Sequence, residues 1–468
     1  MFGLRLVLIA VVALSLFQGA FARMSVAHRL TARALATPDD DSFYTPDDGW
    51  EDQEPGTILK TREVTVANSG IAKYGVAAYQ LLYRTNGVTR DDASHSVTTV
   101  IVPDNYDHDK LVAANLYEDS FSSRCAPSYS LRAGARILND LAASYQALFI
   151  TTLLHEGWVV TVPDHEGPKN AFTSGRLEGH AVLDAIRATL NFDKIGLQKR
   201  AKVTGYGYSG GALATGWAAS LQNQYASELN VVGWSMGGTV ANMNEWLRYI
   251  DNTSGSGFAL ASLGGLISSY SELSWVKKAL TDRGRNLLRQ AAQNCMYQNL
   301  WTTGKQKIFD DSVFGGGSSF LQNGDVVNIL NKLTLGRFSK FVPIAPVFMF
   351  HSTHDEVVPF NMAIGTADAW CQQGAKVRFL SNTGFEMAHQ NTELFNMPNV
   401  IFFMRERFNG KEWGANCQYP SVNDPYFNVA VLGKGAISFL QQLYDLLGNR
   451  IGKSDGILHS KVHQKENP

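Results

Sequence analysis

The chain alternates continuous apolar runs with segments of helical period. Val76–Arg84, Val97–Val102, Leu111–Tyr117 and Trp158–Val162 are rich in aliphatic, β-branched and aromatic residues and read as strands. Ile137–Leu154 and Leu177–Leu190 carry a helical period. From Lys202 to Ala219 a short apolar strand passes through a tight turn into a helix of small residues, and Leu229–Val232 reads as the next strand. Apolar strands alternating with helices predict an α/β protein, a mostly parallel sheet covered by helices on both faces.

After Gly238 the rhythm changes. Helical stretches around Trp246, Leu260–Trp275, Val276–Leu300 and Val326–Leu335 are broken by Gly/Ser segments, with no strand signal of comparable quality. Residues 239–336 therefore read as a helical cap inserted into a core formed by 50–238 and 337–447. The sheet rhythm resumes with strand Val347–His351, helix Met362–Gln373 and strand Val377–Leu380, then helices around Ile401–Phe408 and Ala436–Leu447.

The ends read differently. Arg5, the apolar run Leu6–Phe17 and the small-x-small string Ala20-Phe21-Ala22 make residues 1–22 a secretory signal peptide. Residues 23–49 are Asp-rich and full of turn formers, which predicts a flexible arm, and 448–468 form a polar tail. No other stretch is long and apolar enough to span a bilayer, so no stable membrane insertion is expected.

With 45% hydrophobic and 18% charged residues the 468-residue chain is globular. Its formal net charge of −1 gives no electrostatic reason to bind nucleic acid. Export makes Cys125, Cys295, Cys371 and Cys417 disulfide candidates. Of the three pairings, Cys125–Cys295 with Cys371–Cys417 is preferred, because the two C-terminal cysteines then staple one region. Asn252-Thr253-Ser254 is a glycosylation sequon.

The chemistry centres on Gly207-Tyr208-Ser209-Gly210-Gly211, a G-x-S-x-G string between strand and helix. In a nucleophile elbow such a turn pushes the serine Oγ out over the sheet edge, at a helix N-terminus suited to a developing oxyanion. Gly233-Trp234-Ser235-Met236-Gly237 also matches, and also follows a strand-like run. Ser209 is favoured because a long helix with Ala212, Ala214, Gly216, Ala218 and Ala219 follows it, whereas Ser235 leads almost at once into the cap.

A serine nucleophile needs a base and a carboxylate to orient it, in the chain order Ser, acid, His. Asp355 sits where the strand Val347–His351 runs out, and His389 follows the next strand; His459 and His463 lie in the polar tail. His351 and His354 beside Asp355 and Glu356 are an alternative metal site, but their spacing suits a helix face better than a strand end. No metal or organic cofactor is expected.

These residues resemble the fungal secretory lipase family, which includes Candida antarctica lipase A. The resemblance rests on FYTP followed by PGTIL, YEDS after an early strand, GWVVTVPDHEGPKNAF, GYSGG with its Ala-rich helix, and the late HDEVVPF and AH segments. It implies an α/β-hydrolase core, a helical cap, two disulfides and a Ser-Asp-His triad. Carried over motif by motif, it implies Ser209 as nucleophile, Asp355 as acid, His389 as base, and the N–H groups of Asp119 and Gly210 as oxyanion donors. The second G-x-S-x-G is not among its motifs.

The expected function is that of a secreted, monomeric serine lipase acting on fatty-acyl esters and touching lipid surfaces transiently. The apolar run Phe258–Ile267 is expected to roof an acyl tunnel or to meet lipid. A secreted carboxylesterase, a peptidase or an acyltransferase on the same fold, or an inactive binding protein, are the alternatives.

Overall fold

The computed structural model describes residues 35–68, 72–135, 141–384 and 387–423. The expected signal peptide, the first part of the arm, the start of the helix predicted over Ile137–Leu154, the helix predicted over Ala436–Leu447 and the C-terminal tail lie outside them.

Among the described residues, eleven strands form one sheet and two a small hairpin. In chain order they are β1 (Ile58–Glu63), β2 (Ala67–Asn68), β3 (Ala72–Lys73), β4 (Ala77–Asn86), β5 (Ala93–Val102), β6 (Lys110–Asn115), β7 (Val159–Pro163), β8 (Lys202–Tyr208), β9 (Val231–Gly237), β10 (Val347–Ser352), β11 (Val377–Asn382), β12 (Cys417–Gln418) and β13 (Ser421–Val422). The main sheet runs β1-β4-β5-β7-β6-β8-β9-β10-β11-β12, with β13 also on β11; β2 and β3 are the hairpin. Within the main sheet the three pairings from β1 to β7 are antiparallel and the rest are parallel.

The central strands are buried along nearly their whole length, which is why they read as unbroken apolar runs. Helix Gly175–Leu190 and the elbow helix Gly210–Tyr225 pack together, with Trp217 against Gly175 and Gly179.

Between β9 and β10 the described residues form helices and turns, with no named strand. The stretch Val276–Leu300 divides into helices Val276–Ala279, Asp282–Ala291 and Met296–Thr303. Two caps explain the breaks: the Thr281 hydroxyl accepts from Gly284 N–H, and Cys295 heads a capping box with Gln298. The run Phe258–Ile267 lies inside helix Ser256–Ser269 and is buried throughout, so it offers no apolar face to lipid in this conformation.

The arm also departs from expectation. Residues 38–52 form three short 3₁₀ turns, the first two within the predicted flexible arm and packed on the core. Asp41 pairs with Arg62 at 2.6 Å, the Arg62 guanidinium lies 4.0 Å over the Phe43 ring, and the Tyr44 hydroxyl is 2.8 Å from Ser128 Oγ. A polar string dense in turn formers conceals these long-range partners.

Candidate active site

The parallel register brings the strand ends level. Asn115 faces Gly207 across β6 and β8, Tyr208 faces Gly237, and Gly237 faces Phe350 on β10. The segments carrying Asp119, Ser209, Asp355 and His389 therefore leave the sheet at one carboxyl edge, where open α/β sheets place their sites.

Ser209 caps the elbow helix with φ 53° and ψ −120°, a strained backbone for a residue with a Cβ. The turn is held from several sides. Ser209 N–H donates to Gly237 O at 3.0 Å, and Asn115 Nδ2 donates to Thr215 Oγ1 at 2.8 Å. Glycine is required on both flanks: a Cβ on Gly207 would lie 2.1 Å from Gly211 O, and one on Gly211 would lie 2.0 Å from Asn115 O.

Oγ of Ser209 lies 3.0 Å from Nε2 of His389, and Nδ1 of His389 lies 2.7 Å from Oδ2 of Asp355. All three residues are buried. Oδ1 of Asp355 accepts from the N–H groups of Val357 and Val358 at 2.9 and 2.7 Å. His351 supports the other oxygen, with Nε2 3.3 Å from Oδ2 and 2.9 Å from Val358 O. Burial opposes ionisation of Asp355, but the charge of His389 and the hydrogen bonds from His351 and His389 outweigh it and hold the carboxyl far below its usual range. Burial likewise pulls His389 down, yet Asp355 outweighs it and the imidazole is raised above its ordinary value.

Asp119 has φ 47°, a left-handed conformation that Asp tolerates better than most residues. Its carboxylate packs on the start of the elbow helix, since a Cβ on Gly210 would meet Asp119 Oδ1 at 1.8 Å. Gly210 is the first residue of that helix, where backbone N–H groups lack intrahelical partners. Helix Ser256–Ser269 reaches the same place: Gly264 lies against the Phe121 ring and Gly265 against the Phe172 backbone.

Ser235 is a different kind of residue. It lies within β9, paired with Tyr206 and Phe348, wholly buried and without a positive φ. The second G-x-S-x-G is strand, not turn. His351 points into the core, while His354 is exposed beside Thr353. The preferred disulfides form, Cys125–Cys295 and Cys371–Cys417. Asn252 is exposed at the turn between helices Met243–Ile250 and Ser256–Ser269.

Sequence reasoning missed a buried acidic group behind the Asp119 loop. Glu118, His165, Glu166 and Glu178 are buried together, and His165 Nε2 lies 2.7 Å from Leu116 O. Burial raises Glu118 and Glu166 well above the carboxylate range. Burial opposes charging of His165, but the hydrogen bond to Glu178 and the charges of Glu118 and Glu178 push it up to about 9. The one sequence signal was three ionisable residues, Asp164-His165-Glu166, directly after a buried strand.

A sheet of this order, with a strained serine at the turn between β8 and its helix, defines an α/β-hydrolase. The model of the secretory lipase family matches residues 132–416. The chain is 73% identical over 468 residues, the whole of both chains, to secreted triacylglycerol lipase LIP2 of Malassezia furfur. It is 56% identical to secreted triacylglycerol lipase LIP7 of Malassezia globosa, over 92% of each chain. The X-ray structure of Candida antarctica lipase A in its closed state is 31% identical with a TM-score of 0.78, covering 90% of this chain and 98% of that one. The chain belongs to the secretory lipase family.

Proposed function

We propose that this secreted lipase hydrolyses fatty-acyl esters through an acyl-enzyme on Ser209. The observation that carries the reading is the hydrogen-bonded row Ser209–His389–Asp355, at 3.0 and 2.7 Å, on a strained elbow. Family membership and the triacylglycerol lipases among its relatives support the ester substrate.

Ser209 Oγ attacks the ester carbonyl while His389 Nε2 takes its proton. Asp355 keeps the Nδ1–H of His389 directed at itself and stabilises the imidazolium. The oxyanion is held by the N–H groups of Asp119 and Gly210. Collapse breaks the ester C–O bond, and His389 returns the proton to the departing alcohol. Water, deprotonated by His389, then attacks the acyl-enzyme, and the fatty acid leaves as Ser209 regains its proton. The enzyme acts as a monomer that meets the lipid surface only transiently.

The test is fluorophosphonate labelling with identification of the modified peptide, beside p-nitrophenyl esters of increasing chain length and emulsified triglyceride. Label on Ser209, together with a loss of about 10³-fold or more in kcat for Ser209→Ala, is expected. Label elsewhere would overturn the assignment, and turnover of short soluble esters alone would remove the triglyceride substrate.

A further inference from the structure

We propose that Glu356 is a positioning residue for the reaction, holding His389 by its main-chain N–H while adding negative charge beside the imidazole. This rests on the reading of Ser209, His389 and Asp355 given above.

His389 is the first residue of the 20-residue helix His389–Phe408. Helix starts need acceptors for their free N–H groups, and a side chain at the preceding residue commonly serves the second or third of them. Here that residue is Ala388, which has no acceptor, and the first turn contains no acidic residue. The acceptor comes from elsewhere in the chain: His389 N–H donates to Glu356 Oε2 at 2.8 Å, from 33 residues away. Glu356 directly follows Asp355. Two consecutive carboxylates thus grip one histidine at two atoms, Asp355 at Nδ1 and Glu356 at the backbone nitrogen. The opposite side is fixed as well, because Tyr208 OH, one residue before Ser209, donates to His389 O at 2.7 Å.

This geometry couples a backbone cap to imidazole placement. If the first turn of the helix frays, Nε2 moves relative to Ser209 Oγ, and misplacement of this kind costs rate rather than binding. Charge adds to the effect, since an anion at a helix N-terminus is stabilised there and opposes loss of the imidazolium. Among the described residues, the charged and titratable groups facing His389 are Asp355 and Glu356 from the loop after β10 and Glu393 one turn along its own helix, with Tyr208 from β8 tilted against its ring. Tyr249 of the cap feels both Asp355 and Glu356. Of these three carboxylates Glu356 is the exposed one, so replacing it opens no core.

The experiment compares Glu356→Ala and Glu356→Gln in the full chain. It measures kcat, KM and the acid limb of kcat/KM with a soluble p-nitrophenyl ester, thermal midpoint, and fluorophosphonate labelling of Ser209. Glu356→Ala is expected to lower kcat about 10-fold with KM little changed. Glu356→Gln keeps an acceptor and restores most of that kcat, but both variants move the acid limb down by about half a pH unit because the charge is gone. A Glu356→Ala enzyme with wild-type kcat and acid limb overturns the proposal, even if its melting point falls, because the contact would then be a helix cap only. A wild-type chain that takes no label on Ser209 sinks the triad reading, and this proposal with it.

Discussion

Nδ1 of His389 lies 2.7 Å from Oδ2 of Asp355, a contact between residues 34 apart in sequence. The carboxylate has further donors on both oxygens, so its place does not depend on His389. Asp355→Asn should therefore fold. An amide at Oδ2 would favour the wrong imidazole tautomer, and kcat is expected to fall by roughly 10³–10⁴ at neutral pH. Esterase kinetics with a matched circular dichroism spectrum check this; a loss under 10-fold would remove Asp355 from the mechanism.

Ser235 supplies the contrast. Its Oγ is buried and has no hydrogen-bond partner among the described residues. Ser235→Ala removes an unsatisfied hydroxyl, so stability should stay level or rise slightly, and ester hydrolysis should be unchanged. Loss of fluorophosphonate labelling in this variant would contradict the strand assignment.

His180 sets a stability–pH relationship. It is buried, with Nδ1 2.9 Å from Gly87 O, and burial, together with Arg90, Arg176 and Arg187, lowers it to about 4. Its unfolded value lies near 6.5. Between these values the unfolded chain binds the extra proton, so the stability held above pH 6.5 is lost as pH falls toward 4. His180→Asn keeps a donor toward Gly87 but cannot take up the proton. Its unfolding free energy should fall less than that of the parent between pH 7 and 4, by about 3 kcal/mol. Parallel denaturant titrations at several pH values measure the difference; equal slopes would refute it.

The disulfide Cys371–Cys417 closes 46 residues between helix Phe360–Gln372 and the sheet edge at β12. Replacing both cysteines by alanine should cost about 4 kcal/mol by chain entropy. The expected reading is a lower unfolding midpoint with kcat at 25 °C retained, because His389, inside the closed loop, is held separately by Asp355, Glu356 and Tyr208.

Asn252 has φ 60° at an exposed turn, which leaves its side chain open to glycosylation. Secretion from a eukaryotic host should yield a glycoform that shifts on endoglycosidase treatment, and Asn252→Gln should abolish the shift. An unshifted wild-type protein would show the sequon unused.

Much of this was legible in the sequence because it is local. Burial on both faces writes a continuous apolar run into β6, β8 and β10. The tight packing of Gly207 and Gly211 demands residues without a Cβ, and so marks the elbow. The order of Ser209, Asp355 and His389 follows from the order of the strands that carry them. Tertiary structure decided what depends on neighbours far away in the chain. The two G-x-S-x-G strings match the pattern equally; the small-residue helix after Ser209 favoured it in the sequence, and the fold then sets them apart in kind, because Ser209 lies past the end of β8 while Ser235 lies between β8 and β10 within β9. The arm looked mobile until Arg62 and Ser128 supplied its partners. The early start of helix His389–Phe408 depends on an acceptor from Glu356 that no local pattern announces. Periodicity and turn chemistry are properties of neighbouring residues; which carboxylate meets which N–H is a property of sheet order, and only the folded chain fixes it.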